Sequence, residues 1–254
     1  MTAAVTVAVA DTDRLLTLPG ADASLLTAAE RRRLAAARTA RARADFLAAH
    51  VLARMCVARR TGGAVRDVAL DQRCPLCAGP HGRPRVTGAR CGVSLSYADG
   101  VVAAAAADHP VGIDVERLPG PAARADGPDL RGFGSFLSRG EIDRIRGSPA
   151  PHHAFLRTWV RKEALVKLTA RGLPAMADVD LARLPLVPTG RDRPFRLGRR
   201  LLYDLPGVPP DVVGAVAVTA PDASAGRGST AASGMQSLTT DDLIDTLSFQ
   251  GEAS

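Results

Sequence analysis

Apolar residues gather along this chain in short runs. The N-terminal stretch MTAAVTVAVADTDR has no basic flank before its apolar part, so it reads as a first strand and not as a signal peptide. Val101–Ala107 and Val212–Val218 are uninterrupted apolar runs of strand length. Between them, Val111-Gly112-Ile113-Asp114-Val115-Glu116 alternates. Ile113 and Val115 face a core, and Asp114 and Glu116 share the opposite face. The turn Asp108-His109-Pro110 precedes this strand, and a hairpin with the Val101–Ala107 run is expected. Phe155–Ala170 has helical spacing instead: at 100° per residue Phe155, Trp159, Val160 and Val166 form one broad apolar face. Glu163 falls between Trp159 and Val160, in the middle of that face.

The pattern repeats. Leu26-Thr-Ala-Ala-Glu30-Arg-Arg-Arg-Leu34 and Leu137-Ser-Arg-Gly-Glu141-Ile-Asp-Arg-Ile145 share the form L-[ST]-x-x-E-x-x-R-[LI]. Thr or Ser followed three residues later by Glu is a capping box, so each copy opens a helix. A second helix then starts at Phe46-Leu47 and at Phe155-Leu156, and an apolar strand follows at Val101 and at Val212. The three offsets, 111, 109 and 111 residues, point to a duplicated half-domain. The expected fold is α+β: a first half over 1–112, a second over 113–221 carrying the chemistry, pseudo-two-fold symmetry, and a site at their interface. Pro119–Asp129 is rich in Pro, Ala and Gly and lies between the halves. Residues 222–254 form a flexible linker and a short acidic tail belonging to neither half. The segment Ser237–Phe249 has helix-start chemistry but little apolar surface. It reads as a frayed terminus, unless it docks on the arginine-rich helix of the first half or on a partner.

At 254 residues and 46% apolar, the chain can build a sizeable core. No apolar run reaches the roughly 20 residues of a membrane span, and a cytoplasmic location is expected. The net charge is +7, and Glu30–Arg60 alone holds nine arginines against two acids. Such a field attracts phosphorylated cofactors, acidic proteins or nucleic acid. Aromatics at 4% leave few stacking platforms for the last of these. Of the 33 cations 31 are arginine, so the two lysines, Lys162 and Lys167, stand out as compact, tunable charges. Cys74, Cys77, His81 and Cys91 have the makings of an irregular zinc knuckle, for which reduced thiols in a loop are the plainer reading. His50 reads as a satisfied core histidine, and His152-His153 as a solvated turn.

Asp114 and Glu116 repel one another unless a proton or a cation lies between them. Glu163 on an apolar face is costly unless it is paired or holds a metal, and Lys167, one turn on, can pair with it. Three carboxylates without sulfur or imidazole suit a hard cation, and Mg²⁺ is the usual one where phosphates are handled.

Gly112-Ile-Asp114-Val-Glu116, then after 42 residues Trp159-Val-Arg-Lys162-Glu163-Ala164 with Lys167 and Gly172-Leu173, resembles the paired signature of the 4′-phosphopantetheinyl transferases. The length, the duplication, Gly82-Arg83-Pro84 and Val93-Ser-Leu-Ser96 resemble the surfactin-type, pseudo-dimeric branch. The resemblance implies Mg²⁺-dependent transfer of 4′-phosphopantetheine from coenzyme A to a serine of an apo acyl- or peptidyl-carrier protein, releasing adenosine 3′,5′-bisphosphate. It implies a monomer whose partners are coenzyme A and an acidic carrier of fatty-acid or secondary-metabolite biosynthesis. Asp114, Glu116 and Glu163 would hold the metal, and Glu163, Lys167 and Glu116 would be catalytic. Arg41, Arg83, Ser96, Tyr97, Lys162 and Lys167 would bind the cofactor. Tyr97 stands where the family often has His, so it can donate to a phosphate but brings no charge. The alternatives are a homologue that binds coenzyme A or carriers without turnover, and a basic nucleic-acid-binding protein.

Overall fold

The computed structural model describes residues 5–74, 77, 79, 82–124, 127–169, 171–188, 193–220 and 234–248. Strand β1 (Val5–Asp11) leads through helix α1 (Thr12–Leu16) to α2 (Ala28–Ala36) and α3 (Ala40–Thr61). Strands β2 (Leu70–Asp71), β3 (Arg85–Val86), β4 (Gly92–Ala98), β5 (Val101–Ala107) and β6 (Val111–Arg117) follow. Helices α4 (Arg139–Arg146) and α5 (Pro151–Thr169) precede β7 (Phe195–Leu197), β8 (Arg200–Asp204) and β9 (Val212–Thr219). The chain closes with β10 (Met235–Ser237) and α6 (Thr240–Ser248). It is a mixed α+β fold with two sheets, ordered β10-β1-β5-β4-β3-β2 and β6-β9-β8-β7. Among the described residues no helix is long and apolar enough to cross a membrane.

The elements stack in four layers. Val102, Ala104 and Ala106 of β5 face α3, where Ala48, Leu52, Met55 and Cys56 meet them. Val101, Ala103, Ala105 and Ala107 face the other way, into a core shared with Ile113, Val115, Val216 and Tyr203 of the second sheet. The far side of that sheet, Leu202, Val213, Ala215 and Ala217, packs on Val160, Ala164 and Leu165 of α5. All seven residues of β5 are buried, and their small side chains let a helix and a sheet close on its two faces.

Both expected capping boxes are present, Thr27 with Glu30 and Ser138 with Glu141. The long helices begin earlier than their phenylalanines, because Thr39 caps α3 at Ala40 and Pro151 opens α5. The expected β5–β6 hairpin does not form: β6 turns away after Pro110 and pairs antiparallel with β9, Asp114 opposite Ala215. This turn carries the chain from one sheet to the other. The acidic tail, expected to belong to neither half, is integrated with the first sheet. Its β10 runs parallel to β1, Val5 opposite Met235, and α6 buries Leu243 and Leu247 against α3. The linker residues 222–233 lie outside the described residues.

Candidate active site

The two capping boxes share one feature that spacing did not reveal. The capping Glu30 is buried and paired with Arg54 of α3, Oε2 to Nη2 at 2.6 Å. The capping Glu141 is likewise buried and accepts from Lys162 of α5 at 2.7 Å. Glu141 also accepts from the backbone N–H of Leu181 and of Ser138. Both short helices, α2 and α4, are thus tied to the long helix that follows through a desolvated carboxylate–cation pair. Lys162, expected at the cofactor, is 1% exposed and committed to this frame.

The other lysine reaches the carboxylates. Lys167 Nζ donates to Asp114 Oδ1 at 2.6 Å, to Ser96 Oγ at 3.2 Å and to the carbonyl of Ile113 at 3.2 Å. Ser96 Oγ donates to the same Asp114 oxygen at 2.7 Å. Residues of β4, β6 and α5 therefore meet at one carboxylate. Lys167 pairs here, and not with Glu163 as helix spacing had led us to expect. Gly112 makes the meeting close: a Cβ there would lie 2.6 Å from the backbone nitrogen of Leu168 and closer still to the carbonyl of Ala164. Only glycine lets α5 pass this near to β6.

Asp114 is buried, and its second oxygen, Oδ2, is shielded from solvent without a hydrogen-bond partner among the described residues. Glu116 is pushed up to about 7 by burial first and then by the charge of Asp114, with Lys167 opposing. Burial and Asp114 also raise Glu163, again against Lys167. Glu163 lies on the half-buried stripe Phe155–Trp159–Glu163–Lys167, not in the middle of a buried face. Val160, Ala164 and Leu165 form the face packed on the second sheet instead, and Val166 and Trp159 pack with Ala175 and Met176. As the side chains stand, no three His, Cys, Asp or Glu residues among the described residues are gathered tightly enough to grip a metal ion. The donors nevertheless have the right chemistry: hard oxygens, mutual repulsion felt by both glutamates, and one orphaned buried oxygen.

The remaining expected residues take several places. Arg83 is half-buried and donates to the carbonyls of Val111 and Leu168, so it bridges β6 and the end of α5. Burial lowers its pKa, with Arg85 adding to the effect. It also lines a cleft of about 400 Å³ with Arg85, Arg90 and His109. Tyr97 is 41% exposed at the end of β4. Arg41 is paired with Asp13 at 2.8 Å, beside the Asp99-Gly100 turn. His50 is a satisfied core histidine, Nδ1 meeting the carbonyl of Phe46 and Nε2 the side chain of Gln72. Cys91 is a half-buried thiol whose pKa burial raises, and His81 lies outside the described residues.

Residues 110–209 match the model of the 4′-phosphopantetheinyl transferase superfamily. The match contains Asp114, Glu116, Glu163 and Lys167 and supports phosphopantetheine transfer as the general activity. It leaves out the residues before 110, among them Arg41, Arg83, Ser96 and Tyr97. No curated protein matches the chain.

Proposed function

We propose that this chain is a Mg²⁺-dependent 4′-phosphopantetheinyl transferase that loads a serine of an apo acyl- or peptidyl-carrier protein from coenzyme A. The observation that carries this reading is the state of Asp114: one oxygen shared by Lys167 and Ser96, the other buried and unpartnered beside two carboxylates of raised pKa. Asp114, Glu116 and Glu163 would hold Mg²⁺, which when bound would neutralise charge on the coenzyme A pyrophosphate. Lys167 would move from Asp114 toward the transferring phosphate and stabilise the charge there. Glu116 or Glu163, directly or through a water, would take the proton of the attacking serine. The serine Oγ then bonds to the phosphorus of the pantetheine phosphate, and adenosine 3′,5′-bisphosphate departs with the pyrophosphate bridging oxygen. The arginine-lined clefts, one with Arg83, Arg85 and Arg90 and another of about 590 Å³ with Arg32, Arg33 and Arg73, suit the nucleotide phosphates.

The repeated capping box and buried pair in each half support the pseudo-dimeric branch and a monomeric enzyme. An acidic carrier would meet the basic first half. The second reading is a coenzyme A-binding homologue without turnover, favoured by the seating of Lys167 on Asp114. Incubation with Mg²⁺, coenzyme A and several apo-carriers, followed by intact-mass measurement, separates the two. A phosphopantetheine mass gain is expected on at least one carrier. A coenzyme A-induced rise in Tm without any mass gain would leave only the binding homologue.

A further inference from the structure

Among the described residues β6 is the edge strand of the second sheet, and its pairings reach only β9. The backbone groups on its open side must find partners elsewhere. Arg83 donates to the carbonyl of Val111, and Lys167 to that of Ile113. The N–H of Ile113 is taken by Ser94: it donates to Ser94 Oγ at 3.1 Å, with both residues buried. Ser94 lies two residues before Ser96 on β4, so the two hydroxyls share one face of that strand. Ser96 holds the side chain of Asp114, and Ser94 holds the strand that carries it. Among the described strand pairings none joins β4 to β6, so these side chains define the register across the seam.

The geometry points to Ser94 as a positioning residue for the carboxylate site, fixing the height of β6 against β4 so that Asp114 meets Ser96 and Lys167. This rests on the reading of Asp114 as part of a Mg²⁺ and coenzyme A site. Without the hydroxyl, the N–H of Ile113 is buried and unpaired, and β6 is free to tilt about its β9 pairing. A displacement of about 1 Å at such a site costs on the order of a hundredfold in rate, so a tilt of a few tenths of an ångström is enough to register.

The test compares wild type with Ser94→Ala, Ser94→Thr and Ser94→Cys, the last keeping the shape with a poorer acceptor. Two quantities are read: the Mg²⁺ concentration giving half-maximal transfer, and the rise in Tm on adding Mg²⁺ with coenzyme A. Ser94→Ala is expected to raise the Mg²⁺ requirement about tenfold and to lose most of the ligand-induced rise, with KM for the carrier unchanged. Ser94→Thr should restore both, and Ser94→Cys should fall between. If Ser94→Ala does not fold, the Cys and Thr variants carry the comparison. A lower ligand-free Tm with a wild-type Mg²⁺ requirement and ligand response would show a merely structural bond and overturn the inference. A wild type responding to neither Mg²⁺ nor coenzyme A would overturn the site reading and the role of Ser94 together.

Discussion

Gly112→Ala is the sharpest probe of how the site is assembled. The added methyl would lie 2.6 Å from the backbone nitrogen of Leu168 and 3.0 Å from Cβ of Lys167, and nearer still to the carbonyl of Ala164. Unstrained contacts to carbon need about 3.5 Å, so α5 must withdraw from β6 by about 1–1.5 Å. The opposing atoms are helix backbone, which cannot swing aside as a side chain can. The cost therefore belongs at the upper end of the usual ~1–3 kcal/mol for overpacking. In a protein of this size that lowers Tm by about 5–10 °C. The same withdrawal stretches the 2.6 Å contact of Lys167 with Asp114 and carries Glu163 with it. A misplacement of about 1 Å can cost on the order of a hundredfold in rate, so kcat should fall far more than the loss of folded protein explains. Thermal unfolding and carrier-loading rates measured at 20 °C check both parts. Gly134→Ala, where the methyl meets nothing within 4 Å, is the control. A Gly112→Ala variant with the Tm and rate of wild type would show that close passage of α5 is not what builds the site.

Three further outcomes follow from the geometry. Lys162→Met breaks a buried pair and should destabilise by about 3–5 kcal/mol, yet leave the coenzyme A-induced Tm shift unchanged. Loss of that shift in folded protein would return Lys162 to the cofactor. In metal-free protein the raised pKa of Glu116 favours its protonated form in the fold. Its contribution to stability is full below about 4.5 and is lost as pH rises through about 7. Glu116→Gln should therefore gain on wild type between pH 5 and 8 in EDTA, and Mg²⁺ should erase the difference. Equal pH profiles in EDTA would show that Glu116 is not crowded by its neighbours. Ending the chain at Ala220 removes the buried side chains of Met235, Leu238, Leu243 and Leu247, each worth about 1.5–3 kcal/mol before the entropy of ordering the tail. Tm should fall by 5 °C or more. The tail packs on β1 and α3, so KM for the carrier should stay as it was, and a changed KM would place the tail at the carrier surface.

What the sequence made legible was local. The capping boxes at Thr27 and Ser138, the strands at Val101 and Val212, and the shared face of Asp114 and Glu116 each depend on neighbours within a few residues. What it hid depends on partners far along the chain. Asp108-His-Pro110 carries turn chemistry that serves a hairpin and a change of sheet equally well, and only the distant β9 decides between them. The tail has four apolar anchors spread over Met235–Leu247, too few for a periodic signal, yet both a strand edge and a helix were waiting for them. Ser94 stands within Val93-Ser-Leu-Ser96, and only the distant open edge of β6 gives its hydroxyl a partner. The two lysines show the limit most plainly. They sit five residues apart on one helix, each against a carboxylate, at 2.7 Å for Lys162 and 2.6 Å for Lys167. Spacing gives them the same standing. Exposure separates them: the Lys162 side chain is 1% accessible with its acid at 1%, and that of Lys167 is 31% accessible. A sealed pair can only hold the frame, because no ligand can reach it, whereas a lysine with a third of its surface open can exchange a carboxylate for a phosphate. That difference arises when α4 closes over one side of α5 and leaves the other at the seam between the sheets, and no pattern within the helix records it.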